Sequence, residues 1–294
     1  MQIAVMGHCL NALLPPDRRS IENRVHAAAD AGIAQIEPFG GTWPADGDPQ
    51  RTAEVVRQEG DRRGVSFPAF GSNTRLGEPG ERGAVSLAAL KREVDACQIL
   101  GARVLTTAAI DAQPVTPDAS VGFGVPFEGA IGGLLGPLRE LAEYAEARGV
   151  RIAVLNHCAL VYLSWHQEWL IRLADHPAAG AAVDPGNYLY YGCEAPEEAT
   201  RRLAAHAAMI RIGDWRPRPE EAVREEFARS GRLSLWESAP LGEGVVDHLR
   251  CLQLLRAAGY DGVVSLKSPG PPIPDAAAAL RRALDRLRRW VEEA

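Results

Sequence analysis

Short apolar runs alternate with amphipathic stretches along the chain, and glycine marks many of the joints between them. Eight segments carry the apolar density of buried strands: Ile3–Met6, Ala34–Glu37, Val65–Ala69, Val104–Thr107, Arg151–Leu155, Ala181–Asp184, Met209–Ile212 and Val263–Lys267. Helical periodicity falls between them, at Ser20–Ala31, Leu87–Leu100, Gly133–Arg148, Ala195–His206 and Val246–Ala258, with a basic-rich closing helix at Pro274–Glu293. The phrases AGIAQIE, RRGVSF, LGARVL, ARGVRIAVL and AAGYDGVVSL each read as a helix end, a glycine and a strand. Serial βα units of this kind predict an α/β protein, a single parallel (β/α)8 TIM barrel over residues 1–294. An open doubly wound sheet is the other architecture; it lacks its usual mark here, because no GxGxxG follows the first strand, which runs into Gly7-His8-Cys9-Leu10-Asn11.

Connections at Phe39–Gln50, Ile110–Glu128, Cys158–Trp165 and Trp215–Gly242 mostly follow strands, on the side where a barrel builds its pocket. The tract GDWRPRPEEAVREEF reads as a partly helical lid whose charges form a solvated face. Composition narrows the function classes. A formal net charge of −6 gives no general attraction to nucleic acid or anionic lipid, so neither is an expected partner. No stretch approaches the ~20 apolar residues of a membrane span, and MQIAVMGHCL lacks the basic start of a signal peptide. Five cysteines without a CxxC pair suit free thiols in a reducing compartment, read as the cytoplasm. The expected partner is a small-molecule substrate, with self-association left open and no cofactor expected.

A barrel brings its strand C-termini to one volume. Those positions hold His8, Glu37, Ser72 with Asn73, Thr106 with Thr107, Asn156 with His157, Asp184 with Asn187, Arg211 with Asp214, and Lys267. Here the phrases GVRIAVLNH, AAVDPGN, MIRIGD, APLGEG and GYDGVVSLK resemble, in order and spacing, the later strands of the xylose isomerase-like barrels, which include sugar isomerases, epimerases, inosose dehydratases and the endonuclease IV group. The resemblance implies a divalent metal held by a glutamate, an aspartate, a histidine and a glutamate ending strands five to eight. In this sequence those positions are Leu155, Asp184, Arg211 and Lys267, and the histidine implied three residues after the aspartate is Asn187. A hard cation needs several oxygen or imidazole donors, so a leucine and two cationic side chains argue against it. Arg211 and Lys267 instead suit neutralisation of Asp184 and Glu37, leaving a cationic surface for a carboxylate, phosphate or enolate oxygen.

Most of these residues carry a functional reading and a structural one. Lys267 suits a Schiff-base or general-base lysine, or a structural ion pair with Asp184. Arg211 suits an anion clamp or an ion-pair partner, since guanidinium does not give up its proton. Asp184 fits a base, a group orienting Lys267, or charge balance alone. At Glu37 the resemblance implies a substrate-binding or acid/base carboxylate, against a buried pair. His157 and His8 fit proton shuttles or hydrogen-bonded pocket walls. Asn156, Asn187 and Asp214 are candidate substrate contacts. Tyr188, Tyr190, Tyr191, Trp165, Trp215 and Trp236 fall in or beside expected post-strand loops, where rings stack on a ligand or pack loop on loop. Glu243 reads as a helix-start residue, and Cys9 and Cys158 flank the expected mouth. His26, His176, His206 and His248 read as surface or packing residues of helices.

Together these readings predict a metal-independent isomerase, epimerase or lyase acting on a small polyhydroxylated or keto substrate. Two alternatives remain at this level: a non-catalytic barrel that binds a metabolite or supports a partner, and a metal displaced to His8, Glu37 and His157. A nuclease role fits poorly with the acidic balance.

Overall fold

The inner wall of the molecule is an eight-stranded parallel sheet in the order β2-β1-β10-β7-β6-β5-β4-β3. The computed structural model describes residues 1–44, 47–109, 127–157, 160–192, 194–231, 233–268 and 275–294. Its barrel strands are β1 (Gln2–Met6), β2 (Ile36–Glu37), β3 (Ala69–Leu76), β4 (Val104–Ala109), β5 (Arg151–Leu155), β6 (Ala179–Val183), β7 (Ala207–Ile212) and β10 (Val263–Leu266). The seam between β2 and β3 is bridged by Gln35 with Ser66 and by Phe39 with Gly71, so the ring closes. A separate antiparallel hairpin, β8 (Asp214–Pro217) with β9 (Trp236–Ala239), rises from the end of β7.

Helices α1 (Ile21–Asp30), α2 (Pro49–Arg63), α3 (Gly80–Leu100), α4 (Phe127–Glu146), α5 (Ser164–Ala174), α6 (Pro185–Gly192), α7 (Pro196–Leu203), α8 (Glu220–Ser230), α9 (His248–Ala257) and α10 (Ala276–Glu293) complete the chain. The predicted glycine joints hold. Gly64 and Gly101 end α2 and α3 with φ of 69° and 76°, a left-handed conformation that glycine adopts without steric cost. No helix among the described residues is long and apolar enough to cross a membrane.

Period-two alternation decides which side chains face the helices and which face the barrel axis. Val5, Leu105, Ile152, Val154, Val183, Ile210, Ile212, Val264 and Leu266 join the large core packed against the helices. Ala4, Ala69, Val104, Ala153, Leu155, Ala182, Met209 and Val263 form a second, smaller cluster inside the ring. The inward series then continues upward with polar residues: Ser265 and Lys267 above Val263, Arg211 above Met209, Thr106 above Val104, His157 above Leu155. An apolar floor of small side chains thus supports a polar upper barrel.

The expected third strand and the expected place of the aromatic residues need correction. The third strand was expected at Val65–Ala69, but the ladder starts at Ala69 and runs to Leu76. Pro68 has no N–H to donate, and the segment before it makes a single isolated bridge through Ser66. Ser72 and Asn73 therefore lie within β3, where a register irregularity between Gly71 and Arg75 shifts the pairing with β4. The aromatic residues expected in post-strand loops are partly helical: Trp165 opens α5, and Tyr188, Tyr190 and Tyr191 belong to α6. The α6 turn forms because Asp184 accepts the Asn187 N–H at 3.1 Å and Pro185 occupies the first helical position. The tract read as a partly helical lid folds as β8 followed by α8, with β9 completing the hairpin. Cys9, Cys97 and Cys251 are free and buried. Cys158, Cys193, Pro274 and most of the 110–128 connection lie outside the described residues.

Candidate functional site

Two ion pairs at different heights organise the upper barrel. In the lower one, wholly buried Glu37 accepts from Nη2 of Arg211 and from the Ser265 hydroxyl, the latter at 2.5 Å. Arg211 Nη2 also donates to Thr106 Oγ1 at 2.6 Å, so β2, β4 and β7 meet at one guanidinium and β10 joins them through Glu37. Gly71 leaves it room: a Cβ there would lie 2.8 Å from Nη2. Single removal of one member of such a buried pair strands a charge and costs about 3–5 kcal/mol.

In the upper pair, Lys267 Nζ donates to Asp184 Oδ2 at 2.5 Å and to Asn187 Oδ1 at 2.7 Å. The other Asp184 oxygen caps α6, and the Asp184 carbonyl accepts from Asn156 Nδ2 at 3.0 Å. Asn187 Nδ2 donates in turn to the Asn156 carbonyl at 3.0 Å. This lattice locks the ends of β5, β6 and β10 together. Lys267 also lies 5.9 Å from the centre of the Trp215 ring, within cation–π reach.

Above the pairs opens a cavity of about 400 Å³, inside the usual range for small-molecule sites. Its wall includes His8, Asn187, Arg211, Asp214, Trp215, His157 and Lys267 from the sequence reading. Burial, with Arg211 and Lys267 nearby, holds the His8 imidazole down at about 4. Burial, followed by Lys267 and Arg75, holds His157 at about 4 as well. Both rings are therefore neutral at pH 7, and each has one nitrogen able to accept a proton. His157 meets the Tyr191 hydroxyl at 3.4 Å, and His8 stands edge-on to Phe39.

Other candidates sit elsewhere. Tyr188 is wholly buried behind the wall and donates its hydroxyl to Gln167, whose amide grips the Val154 carbonyl at 2.8 Å; it packs the helix layer and does not face the cavity. Asn156 lies beneath the cavity as a tie between strand ends. Asp214 reaches the cavity wall, but its carboxylate accepts from the backbone N–H groups of Trp215, Gly242, Gly244 and Val246. The Cys9 thiol donates to the Lys267 carbonyl at 2.9 Å, and burial pushes it up, opposite to the shift a thiolate nucleophile needs. His26 pairs with Glu59 on the helix layer, and His248 is buried against Trp290.

Sequence reasoning placed Ser72 and Asn73 at the pocket but missed Thr74, Arg75 and Glu93. Thr74 and Arg75 line the cavity beside Ser72 and Asn73, and Glu93 of α3 grips this wall from behind. Glu93 accepts from Ser72 Oγ at 2.5 Å and Thr74 Oγ1 at 3.2 Å, and burial raises its carboxyl to about 7. The residues Gly71, Ser72 and Asn73 gave no strand signal, so the continuation of β3 to Leu76 had no local mark.

A family model described as a xylose isomerase-like TIM barrel matches residues 25–290. The chain belongs to this family. Among solved structures it resembles a xylose isomerase-like TIM barrel protein from Mycobacterium smegmatis in complex with magnesium, at 17% identity, covering 99% of this chain and 97% of that one, with a TM-score of 0.75. It also resembles 3-keto-D-glucoside 4-epimerase from E. coli, at 17% identity, 98% and 99% coverage and a TM-score of 0.74. An L-ribulose 3-epimerase follows at 16% identity, 99% and 95% coverage and 0.71. A comparison with curated protein sequences gives no match.

Membership in the xylose isomerase-like family sharpens the question of metal. At the positions expected to hold it stand Leu155, Asp184, Arg211 and Lys267, and the ammonium lies 2.5 Å from the aspartate. Among the described residues, no group of three or more His, Cys, Asp or Glu side chains is placed to hold a metal ion. A divalent cation at Asp184 would meet a lysine, an arginine and an apolar side chain, so these residues do not fit it. The metal positions of this family member are degenerate.

Proposed function

We propose that this barrel is a metal-independent isomerase, epimerase or lyase that moves a proton next to the carbonyl of a small polyhydroxylated or keto metabolite. The observation that carries this reading is the convergence of two neutral imidazoles with two anchored cations on one cavity. Removing a proton beside a carbonyl develops charge on the carbonyl oxygen. A fixed ammonium or guanidinium donor stabilises that oxygen, and a neutral imidazole accepts the proton. Here Lys267 or Arg211 faces the oxygen, and His157 or His8 takes the proton. Asp184 holds Lys267 in position, and Glu37 does the same for Arg211. The family membership and its sugar-epimerase neighbours support the substrate class.

The test is solvent exchange. Chelator-treated protein is incubated in D2O with keto sugars, inososes and aldoses, and deuterium incorporation is followed by NMR. Exchange that persists without metal and disappears in Lys267→Met and His157→Gln supports the reading. Exchange that requires an added divalent ion would overturn its metal-independent part.

A second reading, a non-catalytic metabolite-binding barrel, is favoured by the engagement of both buried carboxylates in structural bonds. Under that reading a ligand that binds is recovered unaltered after prolonged incubation.

A further inference from the structure

We propose that the ligand of this cavity carries a carboxylate, held by Arg211, Lys267 and Arg75. The proposal rests on reading the cavity as the metabolite site, and it adds the charge of that metabolite.

The formal charges at the site balance, but their placement does not. Arg75, Arg211 and Lys267 all line the cavity. Each of the three acids is already engaged from another direction: Glu37 by Arg211 and Ser265, Asp184 by Lys267 and the α6 N-terminus, and Asp214 by four backbone N–H groups. The charged groups that face the cavity are therefore cationic.

Unused hydrogen-bonding capacity has the same sign. Lys267 gives two of its three N–H groups to Asp184 and Asn187. Arg211, 4% exposed, uses Nη2 on Glu37 and Thr106, yet its buried Nε has no partner. The buried Trp215 Nε1 also has no partner. Among the described residues that line the cavity, these two are the buried polar side-chain atoms left unsatisfied, and both only donate. Both atoms are shielded from the cavity itself, so the donors that a ligand meets there are the remaining Lys267 N–H and the cationic side chains of the wall, and an occupant that accepts from them gains most. A neutral polyol brings a donor with every hydroxyl and is less complementary. A carboxylate brings two acceptor oxygens and a charge.

The choice of carboxylate over phosphate follows from the loop after β9. Gly242 and Gly244 offer the clustered backbone N–H groups that commonly cradle phosphate, but the Asp214 carboxylate already fills that nest. The donors left are side chains, including a planar guanidinium suited to a planar anion. An anion between these cations would also weaken the field that depresses His8 and His157, making both better proton acceptors.

The experiment compares skeleton-matched ligands by calorimetry at pH 7: D-gluconate, D-glucuronate and 2-keto-D-gluconate against D-glucose, D-fructose and myo-inositol, with D-glucose 6-phosphate and inorganic phosphate as further arms. At least one acid is expected to bind roughly tenfold or more tightly than its neutral counterpart, and to weaken by about that factor in Arg75→Gln. Lys267→Met is read together with Lys267→Met/Asp184→Asn, which removes the stranded carboxylate, and both are expected to lose acid binding. Equal binding of acids and neutral sugars overturns the proposal. So does binding confined to the phosphates, or acid binding that survives both the Arg75 and the Lys267 variants.

Deuterium exchange separates this outcome from the fate of the catalytic reading. Acid binding with no exchange in D-glucuronate, 2-keto-D-gluconate or any neutral keto sugar leaves the carboxylate subsite standing and sinks the isomerase. A neutral keto sugar that exchanges while no acid binds sinks the subsite and leaves the isomerase.

Discussion

Arg211 carries the lower barrel because its charge is both structural and exposed to the cavity. Arg211→Met leaves Glu37 wholly buried with Ser265 as its remaining donor, and urea unfolding should show a loss of about 3–5 kcal/mol. Adding Glu37→Gln should recover much of that loss, because the cost lies in the stranded carboxylate. A double variant as unstable as the single would contradict this account. Gly71→Ala tests the same pair sterically: the new Cβ would stand 2.8 Å from Arg211 Nη2 and 3.1 Å from Glu37 Oε1, so the buried pair must shift to admit it. The expected result is destabilisation of a similar order, read by the same unfolding curve.

At the scale of elements, α3 supports the cavity wall through one side chain. Glu93 holds Ser72 and Thr74 in the irregular part of β3 that presents Asn73 and Arg75. Its carboxyl is raised from 4.5 to about 7, chiefly by burial. The associated stability is fully present below the unfolded value and is lost as pH rises through 7. Glu93→Gln keeps the shape without the charge. Thermal melts should show the variant gaining on the parent between pH 5 and 8, by up to roughly 3 kcal/mol. The hairpin depends on Asp214 in a comparable way. Asp214→Asn removes the charge that gathers four N–H groups, at about 1.5–3 kcal/mol for a charge-assisted bond. Limited proteolysis should then cut residues 214–246 sooner, and Trp215 emission should shift as the ring loosens from Tyr190.

The whole molecule should respond to acid with a slope set by the cavity. His8 and His157 are depressed from 6.5 to about 4, so each contributes stability that is present above pH 6.5 and lost as pH falls through 4. Between about pH 4.5 and 6.5, Glu93 opposes one of them. The net contribution of the three is therefore a rise with pH of about 1.4 kcal/mol per unit. The difference between the parent and His8→Gln/His157→Gln isolates the imidazoles. It should grow by about 2.7 kcal/mol per pH unit over that window, and a difference independent of pH would show that the rings are not held neutral by burial.

The alternation of apolar runs and amphipathic stretches was enough to predict the parallel barrel, because each βα unit buries its strand locally and the repetition admits few topologies. The strand-end rule also placed Glu37, Asp184, Arg211 and Lys267 at one end, since strand direction fixes which termini meet. Partner choice was beyond the sequence: that Arg211 joins Glu37 while Lys267 joins Asp184 is decided by contacts across the ring between distant segments. Tyr188 and Trp215 looked alike as aromatic candidates, but the α6 turn sends one into the helix layer and the hairpin carries the other to the cavity. Arg75 and Glu93 emerged only in three dimensions, because the irregularity in β3 and the packing of α3 beneath it are long-range contacts without a local pattern. Local periodicity determined the scaffold and the direction of its strands. The pairing and burial of its charges, and with them the cationic lining of the cavity, arose only when distant segments met.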